Sequence, residues 1–213
     1  MHPLHELILL LVVLTDFWVL GTTRLSSTIR ATAIQGALLA ATPVALYSSH
    51  LSVHIIALAL GTLLVKSFVL PYFLTRAIRE AAVRREIEPL IGFTASLMLG
   101  AAAVALSFAI APRLELPGVQ SEMLIPVALS TVIIGLIVLT TRNKALTQVV
   151  GYLILENGIY VFGLSQVLRV PFLVEVGVLL DVFAGVFVMG VVVFHINREF
   201  DSLDADQLSE LRD

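Results

Sequence analysis

Five ionisable side chains stand inside long apolar runs of this 213-residue sequence: Asp16, Lys66, Glu156, Glu175 and Asp181. A charge at the centre of a bilayer costs about 2.5–3.5 kcal/mol on insertion scales, so such groups face a bundle interior or a wet cavity and mark ion paths by default. The chemistry open to them is proton exchange. A carboxyl that gains and loses a proton in that setting is a relay station, and a buried lysine can serve in the same way. Glu156 lies near the middle of its run, in Gly151-Tyr-Leu-Ile-Leu-Glu-Asn-Gly158. Asn157 adds a polar group beside it, and Tyr160, four residues on, shares its helical face. Gly151 and Gly158 flank the acid and admit a close neighbouring helix. The competing reading is a protonated, hydrogen-bonded packing residue.

Asp181 stands mid-way along the last apolar run, in Leu179-Leu-Asp-Val-Phe-Ala-Gly185, and Glu175 stands nearer its outer end. Six residues of helix turn roughly 600°, which sets these two carboxyls about 120° apart: successive stations of one path, not one tight dyad. Glu175 could also simply reach the interface. Lys66 sits towards the cytoplasmic end of its run, before Pro71. It could snorkel inward or pair with an intramembrane acid. Asp16 could be satisfied by the adjacent Thr15 or could face a partner subunit.

The elements that must position these groups follow from composition. Hydrophobic residues make up 58% of the chain, charged ones 14%, and the mean hydropathy is +0.99. The apolar residues come in uninterrupted blocks near span length, which is the bilayer signature. Lipid offers no partner to backbone groups, so each block is a helix or part of a closed barrel. Without polar–apolar alternation, helices win over barrel strands. The expected fold is an all-α membrane bundle of seven transmembrane helices, near 4–23, 30–49, 52–74, 89–111, 123–141, 148–168 and 172–195. Pro89, Pro112, Pro117, Pro126 and Pro171 fall at or near span ends. The weakest break is Ser48-Ser49-His50.

Lys and Arg set the orientation. With the N-terminus out, the inner segments hold Arg24, Arg30, Arg76, Arg79, Arg84, Arg85, Arg142, Lys144, Arg198 and Arg212, against Arg113 and Arg169 outside. The C-terminus is then cytoplasmic. The connector 75–88 reads as a charged, helix-like inner loop. The tail 197–213 is acidic, either solvated or a docking segment anchored by Leu203, Leu208 and Leu211. The first run follows no Lys or Arg and precedes no small-residue cleavage site, so it is expected to stay in the mature protein.

Other chemistries find little support. The chain has no cysteine, which rules out disulfides, iron–sulfur ligation and thiolate metal sites in it. His50 and His54 have a spacing that can bind metal on one helix face, but no third ligand is evident. Interfacial histidines are the ordinary reading, for His195 too. No phosphate loop, nucleophile elbow or paired metal motif is present. A net charge of −3 suggests no nucleic-acid partner. No cofactor is expected in this chain, and no catalysis by it alone. No strong repeat and no Gly/Pro-interrupted helix is visible, which argues against a stand-alone secondary transporter.

The stretch from about 123 to 213 resembles the three-helix small antiporter-like subunit of respiratory complex I and of Mrp antiporters (the NuoK/MrpC type). That family carries a mid-membrane glutamate on its second helix and an acid on its third. Glu156 in Leu155-Glu-Asn157 matches the first, and Asp181 with Gly185 the second. The tail, Phe200-Asp-Ser-Leu and Leu208-Ser-Glu-Leu-Arg212, is also similar. An aspartate replaces glutamate, and the last connection is shorter, which leaves the third-helix acid between Asp181 and Glu175. Over nearly its full length the chain resembles the hydrogenase 4 component E family, through Lys66 with Pro71, Gly151-Tyr152 with Glu156-Asn157-Gly158, and Leu173-Val-Glu-Val-Gly177 with Asp181.

The resemblance implies a four-helix segment over 1–120, a small-subunit module over 121–196 and a tail over 197–213. It implies a multi-pass subunit in the inner (cytoplasmic) membrane, adjoining larger antiporter-like subunits and a peripheral redox or catalytic module. The expected role is a proton (or Na⁺) path with Glu156 and Asp181 as central stations and Lys66 and Glu175 as linkers. Asp16, Asn157 and Tyr160 are additional polar groups. The alternative is a scaffold whose buried charges set helix and partner contacts.

Overall fold

A computed structural model of the chain describes residues 3–48, 51–80, 90–114, 119, 121–166 and the single positions 183, 185, 186 and 190. The elements are α1 (Pro3–Gly21), α2 (Leu25–Leu46), α3 (Val53–Thr62), a π-helical segment (Leu63–Val69), α4 (Leu70–Glu80), α5 (Phe93–Ile110) with a 3₁₀ turn (Ala111–Leu114), α6 (Leu124–Thr141) and α7 (Ala145–Gln166). No strand occurs among the described residues. Six helical spans among them are long and apolar enough to cross a membrane: Leu4–Gly21, Leu25–Leu46, Ile55–Arg79, Phe93–Leu114, Leu124–Thr141 and Ala145–Gln166. The described residues are helical apart from their turns, and the chain is a multi-pass membrane protein, as its composition requires.

These six match the first six expected spans within a few residues. The expected break after Ser48 is present. α2 ends at Leu46, and α3 opens at Val53 behind Ser52, whose hydroxyl accepts the Ile55 N–H at 3.3 Å. This cap satisfies one of the orphan donors of the first turn. α4 carries helix into the expected connector as far as Glu80. The seventh expected span, with Glu175 and Asp181, lies outside the described residues apart from Phe183, Gly185, Val186 and Gly190, which are helical. So do 81–89, the tail, His50, His195 and the His54 side chain.

The third span is one continuous helix, but not α-helical throughout. The third span changes pitch through the π-helical segment, where the Leu70 N–H reaches back five residues to the Val65 carbonyl. Pro71 follows directly and has no N–H, so the ordinary i to i−4 ladder cannot run through it. The wider turn adds a residue to the circuit and carries Lys66.

α6 and α7 form the closest helix pair, through glycines on both sides. A Cβ on Gly158 would stand 2.6 Å from the Val132 amide nitrogen, and one on Gly151 2.5 Å from that of Leu139. The two backbones are therefore in direct contact, the small-residue packing that membrane helices use in place of a hydrophobic drive. α1 and α2 lie against this pair. Leu9, Val12, Leu39, Leu124 and Val161 fill the core at one end. Leu20, Leu25, Ile134, Val149 and Ile154 fill it at the other. Between these two apolar layers lie the polar groups.

Candidate functional site

Two groups of polar side chains meet inside the bundle. In the first, the Lys66 ammonium donates to Glu156 Oε1 at 2.5 Å, with side-chain exposures of 4% and 1%. Isolated, either charge would be expensive at this depth; paired, each supplies the other's counter-charge. Lys66 therefore takes the second of its two expected fates and pairs rather than snorkels. Its ammonium also stands 5.7 Å from the centre of the Tyr160 ring, within cation–π range. The Tyr160 hydroxyl accepts from Thr62 at 3.2 Å. Glu156 and Tyr160 thus share the face of α7 expected from their spacing, and both meet the third span.

Gly36 lets that span approach. A Cβ there would lie 2.7 Å from the Lys66 Cβ and 2.9 Å from its carbonyl carbon. Only a hydrogen at position 36 leaves room for the π-helical segment against α2.

The second group centres on Asp16, which is fully buried. It accepts from Gln35 Nε2 at 2.6 Å and from the Thr131 hydroxyl at 2.8 Å. The Gln35 carbonyl oxygen accepts in turn from Asn157 Nδ2 at 2.9 Å. The chain Thr131–Asp16–Gln35–Asn157 crosses α6, α1, α2 and α7. Asp16 meets neither expectation. Thr15 turns its hydroxyl to the Val12 carbonyl at 2.6 Å instead, and Asp16 faces the interior rather than a partner's surface.

Helical geometry places the two groups side by side. Glu156 and Asn157 are consecutive on α7 and project about 100° apart. One meets the π-helical segment and the other meets α2. Gln35 and Gly36 divide the same way on α2, towards Asp16 and towards Lys66.

Gln35, Thr131 and Arg142 were not legible as site residues. Gln35 and Thr131 are uncharged, and a single amide or hydroxyl in an apolar run is a weak signal. Arg142 looked like a loop charge. It is 2% exposed, donates to the Leu20 carbonyl at 3.0 Å and to the Ser96 hydroxyl at 3.4 Å, and covers the Phe93 ring at 4.7 Å. It ties the ends of α1, α5 and α6 together. Glu175 and Asp181 lie outside the described residues. No cluster of three metal-ligating side chains occurs among the described residues.

The chain is 39% identical over 192 residues to the uncharacterized protein Rv0085 of Mycobacterium tuberculosis, covering 89% of this chain and 87% of that protein. It is 28% identical over 148 residues to the hydrogenase-4 component E of Escherichia coli K12, covering 69% of this chain and 68% of that protein. The component E of Shigella flexneri matches to the same extent. No protein-family model matches the chain, and no solved structure matches it.

Proposed function

The chain belongs to the same family as the mycobacterial protein Rv0085, and from that membership, with its more distant kinship to hydrogenase-4 component E, we propose that it is a non-redox membrane-arm subunit of a complex I-like or hydrogenase-like assembly. Its task in that assembly is to contribute buried carboxylates to a proton (or Na⁺) path. The observation that carries the reading is the Lys66–Glu156 pair, sealed between the third span and α7 and bordered by the Asp16 network. A proton arriving at Glu156 cancels one half of the pair and leaves the lysine uncompensated. Charge moving at a neighbouring subunit therefore has something to bias, and what it biases is a local electrostatic switch.

In this reading Glu156 and Asp181 are the central stations and Lys66 and Glu175 the linkers, with Asp181 and Glu175 on a seventh helix at 172–195. The last three helices, over 121–196, form a module of the NuoK/MrpC type behind a four-helix segment over 1–120. The N-terminus is outside and the tail in the cytoplasm, in the inner membrane. The neighbours are larger antiporter-like subunits and a peripheral redox or catalytic module.

One feature favours a second reading. Both charges are almost fully enclosed, as suits a pair that fixes helix register and moves no ion. Glu156→Gln separates the two. The transport reading expects the variant to co-purify with the same partners and to migrate normally on a blue-native gel. The scaffold reading expects it to fall out of the assembly. The set of proteins that co-purifies with the wild-type chain in mild detergent tests the membership itself.

A further inference from the structure

Away from the buried pair, the end of the bundle that carries the α1–α2 turn holds a cleft of about 530 Å³ between the first turns of α2 and the last turns of α4. Arg24, Arg30 and Arg79 line it, with Ile29 and Ile78 between them. All three arginines are exposed. Among the described residues no carboxylate lies within ion-pair distance of any of them.

Three guanidinium groups from two helices line one cleft and give it a positive rim. Guanidinium forks match phosphate oxygens in pairs. The surroundings say which phosphate. The cleft lies at the ends of two membrane spans, Leu25–Leu46 and Ile55–Arg79, which is the depth of lipid headgroups. Further into the membrane from the arginines the same helices show bare apolar side chains. Ile34, one turn beyond Arg30, is 44% exposed, and Tyr72, two turns before Arg79, is 62% exposed. A cationic rim above an apolar surface suits an amphiphile, and basic pockets between membrane helices hold acidic headgroups in this way.

We infer that the Arg24–Arg30–Arg79 cleft is a binding site for the phosphate headgroup of an anionic phospholipid, whose acyl chains lie along α2 and α4. The site is independent of the proton path: none of its residues touches Lys66, Glu156 or Asp16 in the hydrogen bonds that hold that network together. Each arginine near a charged lipid surface contributes roughly a factor of five in affinity, so losing three weakens binding on the order of 100-fold.

The test is native mass spectrometry of the full-length chain in mild detergent, titrated separately with cardiolipin, phosphatidylglycerol, phosphatidylcholine and inorganic phosphate. Arg24→Gln/Arg30→Gln/Arg79→Gln is compared with Lys144→Gln, an exposed charge at the same end outside the cleft. The expected result is retention of an acidic lipid by wild type and by Lys144→Gln, its loss in the triple variant, and no comparable binding of phosphatidylcholine. Equal acidic-lipid binding by the triple variant, equal loss in Lys144→Gln, or equal phosphatidylcholine binding would overturn the site. Binding of inorganic phosphate without acidic lipid would overturn the lipid as its occupant. If the triple variant does not fold, the three single variants decide: a several-fold loss in each supports the site, and unchanged binding in all three rejects it.

Discussion

Lys66 in the π-helical segment and Glu156 in α7 meet at 2.5 Å across 90 residues of sequence. Either charge alone would be costly at that depth, so the two positions are read as one unit. The wide turn ahead of Pro71 carries the lysine to the face that meets α7.

The unit should show strong coupling. Lys66→Met or Glu156→Leu alone leaves one buried charge uncompensated and is expected to destabilise the fold by about 3–5 kcal/mol. The double variant, which removes both charges, should recover most of that loss. Denaturant unfolding of the four proteins in detergent measures the cycle, and additive losses would show that the two side chains do not depend on each other.

The Asp16 network predicts smaller, graded effects. Thr131→Val removes one donor to the carboxylate, and interhelical hydrogen bonds in membranes average about 0.6 kcal/mol with a maximum near 1.7. A loss in that range is expected. Asp16→Leu should cost more, because it strips the acceptor from Gln35 and Thr131 together. The same unfolding assay ranks the two, and the reverse order would contradict the network.

Gly36→Ala tests whether the approach of α2 to the π-helical segment is a requirement. The added methyl meets the Lys66 backbone and Cβ at 2.7–2.9 Å, and overpacking of this kind typically costs about 1–3 kcal/mol. Ala37→Gly, at the adjacent position, serves as the control for helix propensity. A melting temperature for Gly36→Ala equal to that of wild type would show that the two helices have room to separate.

How much of this was legible in the sequence depended on the size of the signal each residue carries. Charges inside apolar runs are conspicuous because they are expensive, and Asp16, Lys66 and Glu156 were singled out for that reason. All three are buried in the site. Their partners were harder. Lys66 had several candidate acids, and nothing local says that residues 66 and 156 face each other. Gln35 and Thr131 pay little for their place in an apolar helix, so nothing in composition flags them. Arg142 enters the sequence reading only as an inner basic residue, because a charge next to a turn normally points to water, whereas this one turns back between the ends of three helices. The π-helical turn was missed although Pro71 was in view. A proline removes a hydrogen bond without saying how the helix will absorb the loss.

The account turns on Glu156 exchanging a proton while the assembly works. The direct measurement is proton translocation by the intact co-purifying assembly in proteoliposomes, driven by its own reaction and followed with an enclosed pH-sensitive dye. Wild type is compared with Glu156→Gln, after both have been shown to contain the same subunits. The account predicts that the variant keeps its catalytic turnover in detergent yet loses most of its proton uptake or release. Undiminished translocation by a correctly assembled Glu156→Gln complex would contradict it.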